Sequence, residues 1–173
     1  FNSVCALIKQ TRPDQIYNLA GPSSVSESFR RPVEMVAGIT QGTINLLEAI
    51  RVGVPEARYY QASSSEMFGI FSGGLSSEES NLSPVSPYAV AKVCAHSLTK
   101  LYRDYHDIFA CSGILFNHES SIRGETFVTR KITSGLSGIK LGLQDCLWLG
   151  NLDAKQDWGH AKDFVRAMWL MLQ

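Results

Sequence analysis

The sequence lacks an excess of either charge and lacks a long apolar run. Its 16 basic and 16 acidic residues give a formal net charge of zero. A surface that binds nucleic acid is usually strongly basic, so nucleic acid is not an expected partner. No apolar segment approaches the ~20 residues of a membrane-spanning helix, so a membrane is not an expected partner either. With 45% hydrophobic residues, the composition is that of an ordinary globular domain.

Cysteine is scarce and dispersed, which bears on metal binding and on the redox environment. The four cysteines form no C-x-x-C pair, and the four histidines show no ligand spacing with them. No metal site is therefore predicted. Three of the cysteines lie in apolar segments, where a buried reduced thiol is the ordinary state. This pattern fits a cytoplasmic protein.

Two expected features of an enzyme sequence are also missing. There is no initiator methionine, and no G-x-G-x-x-G motif occurs anywhere in the 173 residues. Both ends, FNSVCALIKQ and AMWLMLQ, read as helices already in progress. We therefore expect an internal portion of a longer protein, in which the glycine-rich phosphate-binding turn precedes residue 1.

Helical and apolar extended segments alternate along the chain. The helices are predicted at 2–12, 33–52, 87–107, 127–142 and 160–172, and the strands at 15–20, 58–65, 109–116 and 146–150. A Gly/Ser-rich loop is predicted at 72–84. This order predicts an α/β fold, a Rossmann-like parallel sheet with helices on both faces, incomplete at both ends. Ligands bind at the carboxyl ends of such strands, where loops begin at Ala20, Ser63 and Asn117.

The segment SPYAVAK, residues 86–92, combines a helix start with a possible acid–base pair. Ser86 suits the N-cap and Pro87 the first helical position. Tyr88 and Lys92 follow one turn apart, and an ammonium near a phenol lowers the pKa of that phenol. Such a pair is either an ordinary feature of a helix or a device for proton transfer. The apolar spacing along this helix predicts one buried face, formed by Val90, Val93, Cys94, Leu98, Leu101 and Tyr105.

A second polar cluster follows the strand predicted at 58–65. Ser63, Ser64 and Ser65 end that strand, and Glu66 comes next. Alone, this cluster is a polar turn in which Glu66 caps the following segment. Next to a Tyr-x-x-x-Lys helix, a hydroxyl and a carboxylate at a strand end are typical of an active site.

Several runs together resemble one enzyme family. They are NLAG, YYQASSSEMFG, SPYAVAK, GILFNHES, RGETFVTRKIT and LGNLDAKQDWGHAKDFV. This set resembles the GDP-mannose 4,6-dehydratases, members of the extended short-chain dehydrogenase/reductase superfamily, and it covers nearly the whole chain. Tyr-x-x-x-Lys indicates only the superfamily, whereas FNHES, FVTRKI and DWGHAKD are much narrower.

The resemblance implies a domain division and an activity. Residues 1–125 would be the remainder of an NADP-binding domain, 126–150 the start of a substrate-binding region, and 151–173 a return segment that packs on the first domain. The protein would be an NADP-dependent lyase of the cytoplasm, a homodimer or homotetramer. It would convert GDP-mannose to GDP-4-keto-6-deoxymannose for the synthesis of GDP-fucose and other GDP-deoxyhexoses.

The resemblance also implies catalytic roles. Tyr88 would remove the proton of the sugar's 4-hydroxyl, and Lys92 would bind the nicotinamide ribose and keep the pKa of Tyr88 low. Glu66 would take the proton of carbon 5 and help water leave from carbon 6. Ser64 would hydrogen-bond the 4-oxygen and stabilise its developing charge.

Ligand contacts follow from the same resemblance. The implied cofactor-binding residues are Leu19, Ala20, Gly21, Ser23, Tyr88, Lys92, His118 and Arg123. The implied substrate-binding residues are Ser64, Asn117, Val128 and Lys131. Three of these residues have an ordinary alternative to ligand contact. His118 would be a structural loop histidine, Arg123 a residue of a subunit interface or of the surface, and Lys131 a solvated side chain.

The sequence departs from the family pattern at four places. Ser64 replaces a usual threonine, Glu34 a common tyrosine, Gly21-Pro22-Ser23-Ser24 a different loop, and Gln156 a frequent arginine. These changes predict altered ligand affinity with the chemistry retained. Two alternatives stay open: a related nucleotide-sugar epimerase or reductase, against which Glu66 argues, and a non-catalytic nucleotide-sugar-binding paralogue.

Overall fold

The structure is a computed structural model that describes residues 1–70 and 75–173. Of the Gly/Ser-rich loop predicted at 72–84, residues 72–74 lie outside the described residues. Its remaining part has a turn in which the Ser80 amide donates to the Ser77 carbonyl at 3.1 Å.

Helices and strands alternate along the described chain. The helices are α1 (Asn2–Thr11), α2 (Val25–Arg30), α3 (Pro32–Gly53), α4 (Pro87–His106), α5 (Val128–Lys140) and α6 (Ala161–Met171). The strands are β1 (Gln15–Asn18), β2 (Arg58–Ser64), β3 (Ala110–Leu115), β4 (Asn117–Glu119) and β5 (Trp158–His160). The predicted helices all form, with bounds shifted by one or two residues at most ends.

The central sheet is parallel and has the order β1-β2-β3. Ile16 lies opposite Tyr59, and Tyr59 lies opposite Ala110, so successive strands are neighbours with aligned carboxyl ends. β4 and β5 form a separate two-stranded parallel sheet. The predicted α/β class with parallel strands is confirmed.

The main core lies between α3 and the central sheet. Leu47 and Ile50 are fully buried there against Tyr59, with Ile108 and Ala110 beside them. Burial of each large apolar side chain contributes about 1.5–3 kcal/mol. This packing holds the strand ends, and the loops that follow them, in fixed positions.

Helix α4 begins as predicted and buries a different face. The Ala89 amide donates to the Ser86 hydroxyl at 3.1 Å, so Ser86 is the N-cap. The predicted buried face is wrong for Val90, Leu101 and Tyr105, which are 49%, 54% and 80% exposed, whereas Leu98 packs against the main core. The buried positions are Tyr88, Ala89, Ala91, Lys92, Ala95, Thr99 and Tyr102.

The size of the side chains explains this difference. Ala91 and Ala95 pack with Met35 and Ile39 of α3. Small residues let the two helix backbones approach, so burial follows close packing more than the spacing of large apolar residues. As a result, Tyr88 and Lys92 lie on the inward face of α4.

The strand predicted at 146–150 is also wrong. The described chain has no regular element there, and Trp148 is 81% exposed. The strand that forms instead is Trp158–His160, which pairs with Asn117–Glu119. A strand needs a backbone partner, and an apolar run alone does not supply one.

The described chain divides into two compact units. The first unit is Phe1–Leu115 with Met168–Gln173, and the second unit is Phe116–Ala167. In the first unit the Leu172 carbonyl accepts from Gln15 at 3.2 Å and from Arg58 at 2.7 Å. The domain bounds at 125 and 150 stay a prediction. Among the described residues, no helix has both the length and the apolar character required to span a membrane.

Candidate active site

The end of β2 presents a serine and a glutamate in a fixed turn. β2 ends at Ser64, and a 3₁₀ turn covers Ser65–Phe68. The Glu66 amide donates to the Ser64 hydroxyl at 3.3 Å, which caps this turn. Met67 is fully buried and anchors the turn, whereas Glu66 itself is exposed. The carboxylate is therefore held at the surface of a rigid segment.

Gly69 lets a second chain segment pass close to this turn. Its φ is +70°, a conformation that side chains other than glycine rarely adopt. An added Cβ would collide with the Ser83 carbonyl. The Ser83 amide also donates to the Met67 carbonyl at 2.9 Å. The backbone that leads into α4 is thus fastened directly to the turn that carries Glu66.

Tyr88 has an environment unlike the one expected from sequence. Burial raises its pKa, the charge of Glu66 raises it further, and a hydrogen bond with Ser64 opposes both. The predicted lowering of this pKa by Lys92 is wrong for the protein alone. The Lys92 ammonium lies 5.7 Å from the centre of the Tyr88 ring and donates to the Ala62 carbonyl at 2.8 Å.

The predicted catalytic residues nevertheless lie close together. Helix α4 contacts the turn that carries Glu66, the pKa of Tyr88 is shifted by Ser64 and by the charge of Glu66, and Lys92 is one turn away on the same inward face. Ser64, Tyr88 and Lys92 are each 7% exposed. Burial lowers the pKa of Lys92, because the charged form loses water. A phenol, a carboxylate, a hydroxyl and an ammonium in one place can together move protons.

The loop after β1 has the features of a cofactor-facing segment. Leu19 is 56% exposed, and Ala20, Gly21 and Ser23 are exposed as well. Gly21 has φ +127°, and an added Cβ would lie 3.1 Å from Ile39. A side chain there would be strained, so backbone is presented to the outside instead. These residues fit the close approach of a nicotinamide cofactor.

In the second unit, two of the predicted ligand residues are held by neighbours. Asn117 Nδ2 donates to the Gln156 side-chain oxygen at 2.7 Å. His118 Nδ1 donates to the Phe116 carbonyl at 3.0 Å, and its ring contacts Phe164 at 5.1 Å between centroids. That bond fixes the histidine ring, so Nε2 is the nitrogen left to act as an acceptor.

The other predicted ligand residues of the second unit lie on or before α5. The Arg123 guanidinium is 3.5 Å from the centre of the Phe127 ring, and its Nε lies 3.2 Å from Glu119 without hydrogen-bond geometry. Val128 is 44% exposed, and Lys131 is exposed in the first turn of α5. Val128 and Lys131 can be reached by a ligand or by another chain, whereas Arg123 is only partly exposed.

One departure from the family pattern, Glu34, should affect a cofactor less than its charge alone suggests. Glu34 is exposed, and its carboxylate lies 3.4 Å from the Arg31 guanidinium. A backbone hydrogen bond and then the charge of Arg31 lower the pKa of Glu34. Its negative charge is thus partly balanced locally.

Sequence reasoning missed two polar contacts near the candidate site. Gln61 is buried in β2 and bonds to several neighbours, and Ser63 Oγ lies 3.0 Å from His96 Nδ1. A signal for Gln61 existed, since a glutamine inside the apolar run YYQA has to satisfy its amide in the interior. No local pattern connects Ser63 with His96.

The parallel sheet, the strand-end Ser64 and Glu66, and the Tyr88–Lys92 pair on an inward helix face define a class of protein. That class is the short-chain dehydrogenase/reductase enzymes that modify nucleotide sugars. The family model of GDP-mannose 4,6 dehydratase matches residues 1–173. The chain belongs to this family.

Relatives from distant organisms support the assignment. A GDP-mannose 4,6-dehydratase of Yersinia enterocolitica is 50% identical over 174 residues, covering 99% of this chain and 47% of that protein. GDP-mannose 4,6 dehydratase 2 of Arabidopsis thaliana is 52% identical over 166 residues, covering 94% of this chain and 44% of that protein. The chain thus spans about half the length of the relatives it matches.

Solved structures share the fold. RMD from Pseudomonas aeruginosa, complexed with NADPH, has a TM-score of 0.87 and 28% identity, covering 92% of this chain and 56% of that chain. The dTDP-glucose 4,6-dehydratase DesIV of Streptomyces venezuelae, with NAD and DAU bound, has a TM-score of 0.85 and 22% identity, covering 97% and 51%. The second likeness concerns the fold alone.

Proposed function

We propose that the whole protein is an NADP-dependent GDP-mannose 4,6-dehydratase, a lyase that forms GDP-4-keto-6-deoxymannose. One observation carries the proposal: Tyr88 and Lys92 lie one turn apart on the inward face of α4, which contacts the turn carrying Glu66 at the end of β2. The product is a precursor for GDP-fucose or another GDP-deoxyhexose.

A nicotinamide cofactor, when bound, accepts a hydride from carbon 4 of the sugar and returns it to carbon 6. The residues proposed to hold it are Leu19, Ala20, Gly21, Ser23, Tyr88, Lys92, His118 and Arg123. The exposed backbone at Gly21 supports this, as does the NADPH held by the 28%-identical relative.

Tyr88 acts first in the proposed reaction. As phenolate it removes the proton of the 4-hydroxyl, which lets carbon 4 lose its hydride and become a ketone. Ser64 donates to the 4-oxygen and stabilises the developing charge. Burial and Glu66 raise the pKa of Tyr88, so the phenolate needs the cations present in the loaded enzyme, of which Lys92 is one.

Glu66 carries the elimination. The new ketone acidifies carbon 5, and the Glu66 carboxylate removes that proton. The 6-hydroxyl then leaves as water after receiving a proton from the same carboxyl group. When carbon 6 receives the hydride, carbon 5 takes the proton held by Tyr88, which becomes phenolate again. The exposed position of Glu66 on an anchored turn supports this role, because a substrate can reach it. An epimerase needs no such carboxylate.

The substrate contacts are proposed for Ser64, Asn117, Val128 and Lys131. The second-unit members are exposed or half-buried, and two of them offer polar groups suited to a nucleotide sugar. A lysine is a common partner for a diphosphate. Asn117 is pre-oriented by Gln156.

The test is an NMR time course of GDP-mannose with the full-length protein and NADP+. We expect a 6-methyl doublet beside a 4-keto or hydrated 4-keto sugar. A product that keeps its 6-hydroxyl would identify an epimerase or reductase. Unchanged GDP-mannose, with cofactor binding shown separately, would favour the non-catalytic paralogue.

Glu66→Gln provides a variant that is specific for the elimination. We expect turnover to fall about 10³-fold, since general acid–base catalysis contributes about 10²–10⁴-fold, while NADP+ still binds. Glu79→Gln is the matched control, because Glu79 is an exposed carboxylate in the segment before α4. Normal turnover of Glu66→Gln would refute the assignment of Glu66.

The proposal extends to assembly and location. Exposed apolar side chains on α3 and α4, among them Val33, Val90, Leu101 and Tyr105, support a homodimer or homotetramer. Light scattering of the full-length protein, with Leu101→Glu as the variant, tests this assembly. Cytoplasmic residence is tested by fractionation.

A further inference from the structure

Two buried amide side chains lie between the loop at 19–24 and the ammonium of Lys92. Asn18 is 6% exposed and Gln61 is 1% exposed. They face each other at the last pair of the β1–β2 ladder. Buried amides persist only where their hydrogen bonds are satisfied, so their partners show which groups they hold.

The Gln61 side chain is fixed in one orientation. Its oxygen accepts from the Tyr59 hydroxyl at 2.6 Å and from Asn18 Nδ2 at 2.9 Å, and the Thr43 hydroxyl, which donates to the Ile39 carbonyl at 2.9 Å, lies 3.3 Å away. Its nitrogen donates to the Ala62 carbonyl at 3.0 Å. Donors surround the oxygen and an acceptor faces the nitrogen, so the amide cannot turn over without losing these bonds.

The Ala62 carbonyl also accepts from Lys92 Nζ at 2.8 Å. β1 ends opposite Gln61, so Ala62 lies one residue beyond the last β1 pair. A carbonyl oxygen has two lone pairs, and here Gln61 and Lys92 share them. The ammonium keeps two further N–H donors for other groups.

Asn18 extends the same network to the loop after β1. Its oxygen accepts from the Ala20 amide at 3.3 Å, and Nδ2 donates to the Tyr59 hydroxyl at 2.9 Å. Burial raises the pKa of Tyr59, so its hydroxyl keeps its proton and can donate to Gln61. A continuous series of hydrogen bonds therefore connects Ala20 with Lys92.

We propose that Gln61 is a positioning residue for Lys92. Through the Ala62 carbonyl it fixes the place of the ammonium, and through Asn18 it fixes the backbone of the loop at Ala20. Two groups that meet the cofactor, one on α4 and one in the loop after β1, are thereby aligned by one buried amide. This inference rests on the proposed function, in that Lys92 and this loop contact a nicotinamide cofactor.

The test is a double-mutant cycle on NADP+ affinity in the full-length protein. Gln61→Met, a substitution of similar length, is measured in the wild-type and the Lys92→Met backgrounds. We expect about tenfold weaker binding in the first background and about threefold in the second, because the part of the effect that passes through Lys92 is then lost while the part that passes through Asn18 and the loop remains. Equal weakening in both backgrounds, or unchanged binding in the first, would overturn the proposal.

Two further variants keep the experiment decisive. Tyr60→Phe removes a buried hydroxyl from the opposite face of β2 and should weaken binding equally, or not at all, in both backgrounds. If Gln61→Met does not fold, Tyr59→Phe removes one hydrogen bond to Gln61 and should weaken binding about threefold when Lys92 is present and by less when it is absent. Additive Tyr59 and Lys92 effects would overturn the proposal.

The binding readout separates this proposal from the proposed function. A non-additive cycle with no dehydratase turnover would uphold the role of Gln61 and refute the activity. Dehydratase turnover with an additive cycle would uphold the activity and refute the role of Gln61.

Discussion

The two units hold their candidate functional residues in different ways. In the first unit, Ser64, Tyr88 and Lys92 are each 7% exposed and are fixed by backbone atoms and by one another. In the second unit, Val128 is 44% exposed and Lys131 is exposed in the first turn of α5. A tyrosine that removes a hydroxyl proton needs a fixed and partly dry setting, whereas groups proposed to meet the substrate directly, including the exposed Glu66 of the first unit, have to be reached from solvent.

The largest effect on turnover is expected from a change at Tyr88, a buried residue of the first unit. Tyr88→Phe removes the proposed base and leaves the ring, so kcat should fall about 10³-fold while NADP+ affinity changes little. Steady-state kinetics and cofactor titration measure both quantities. Tyr105→Phe, an 80% exposed tyrosine on the same helix, is the control and should keep full activity. A normal kcat in Tyr88→Phe would show that Tyr88 is not the base.

A smaller effect is expected on the exposed side. Lys131→Ala should raise KM for GDP-mannose about tenfold and leave kcat within about twofold, because it removes a binding contact shared by the ground and transition states. Lys140→Ala, in the last turn of the same helix, is the matched control. A fall in kcat as large as the expected rise in KM would show that Lys131 takes part in the chemical step. The distinction between the residues of the two units would then be wrong.

The smallest expected effect is on the pH dependence of stability and comes from His96, a partly buried histidine beside β2. Burial, and then the charge of Arg103, lower the pKa of His96, which lies 3.0 Å from the Ser63 hydroxyl. Because the folded state binds the proton less well than the unfolded state, stability is complete above the unfolded pKa of about 6.5 and is lost as pH falls through the folded pKa.

Urea denaturation at about pH 8 and about pH 5 measures this loss. We expect His96→Asn to reduce the difference in unfolding free energy between the two conditions by about 1 kcal/mol or less. An unchanged difference in His96→Asn would show that this histidine does not contribute to acid sensitivity.

Local sequence patterns predicted the long elements well and the buried surfaces poorly. α3 and α4 form as predicted because Pro32 and Ser86 mark their starts and the residues between are ordinary helix formers. The buried face of α4 was wrong because its packing uses Ala91 and Ala95, which a search for large apolar residues overlooks. Helix bounds are local properties, whereas burial depends on the neighbour.

The candidate site shows the same limit. Tyr88 and Glu66 were predicted together from motifs, and the structure brings them together. The pKa of Tyr88 was predicted in the wrong direction, because the sequence spacing says nothing of desolvation or of the bond that Lys92 makes with Ala62. The two-stranded sheet of β4 and β5 was missed as well, since three-residue strands carry too short a pattern.

The close contact of Gly69 with Ser83 has a consequence for protein engineering. These residues bring together the two ends of the segment that joins Glu66 to α4. Loop-closure free energy rises by only about 0.6 kcal/mol for each doubling of loop length. A reporter domain or an affinity tag inserted between Gly69 and Ser83 should therefore leave Glu66 in place beside α4, which makes this segment the preferred point for a fusion inside the first unit.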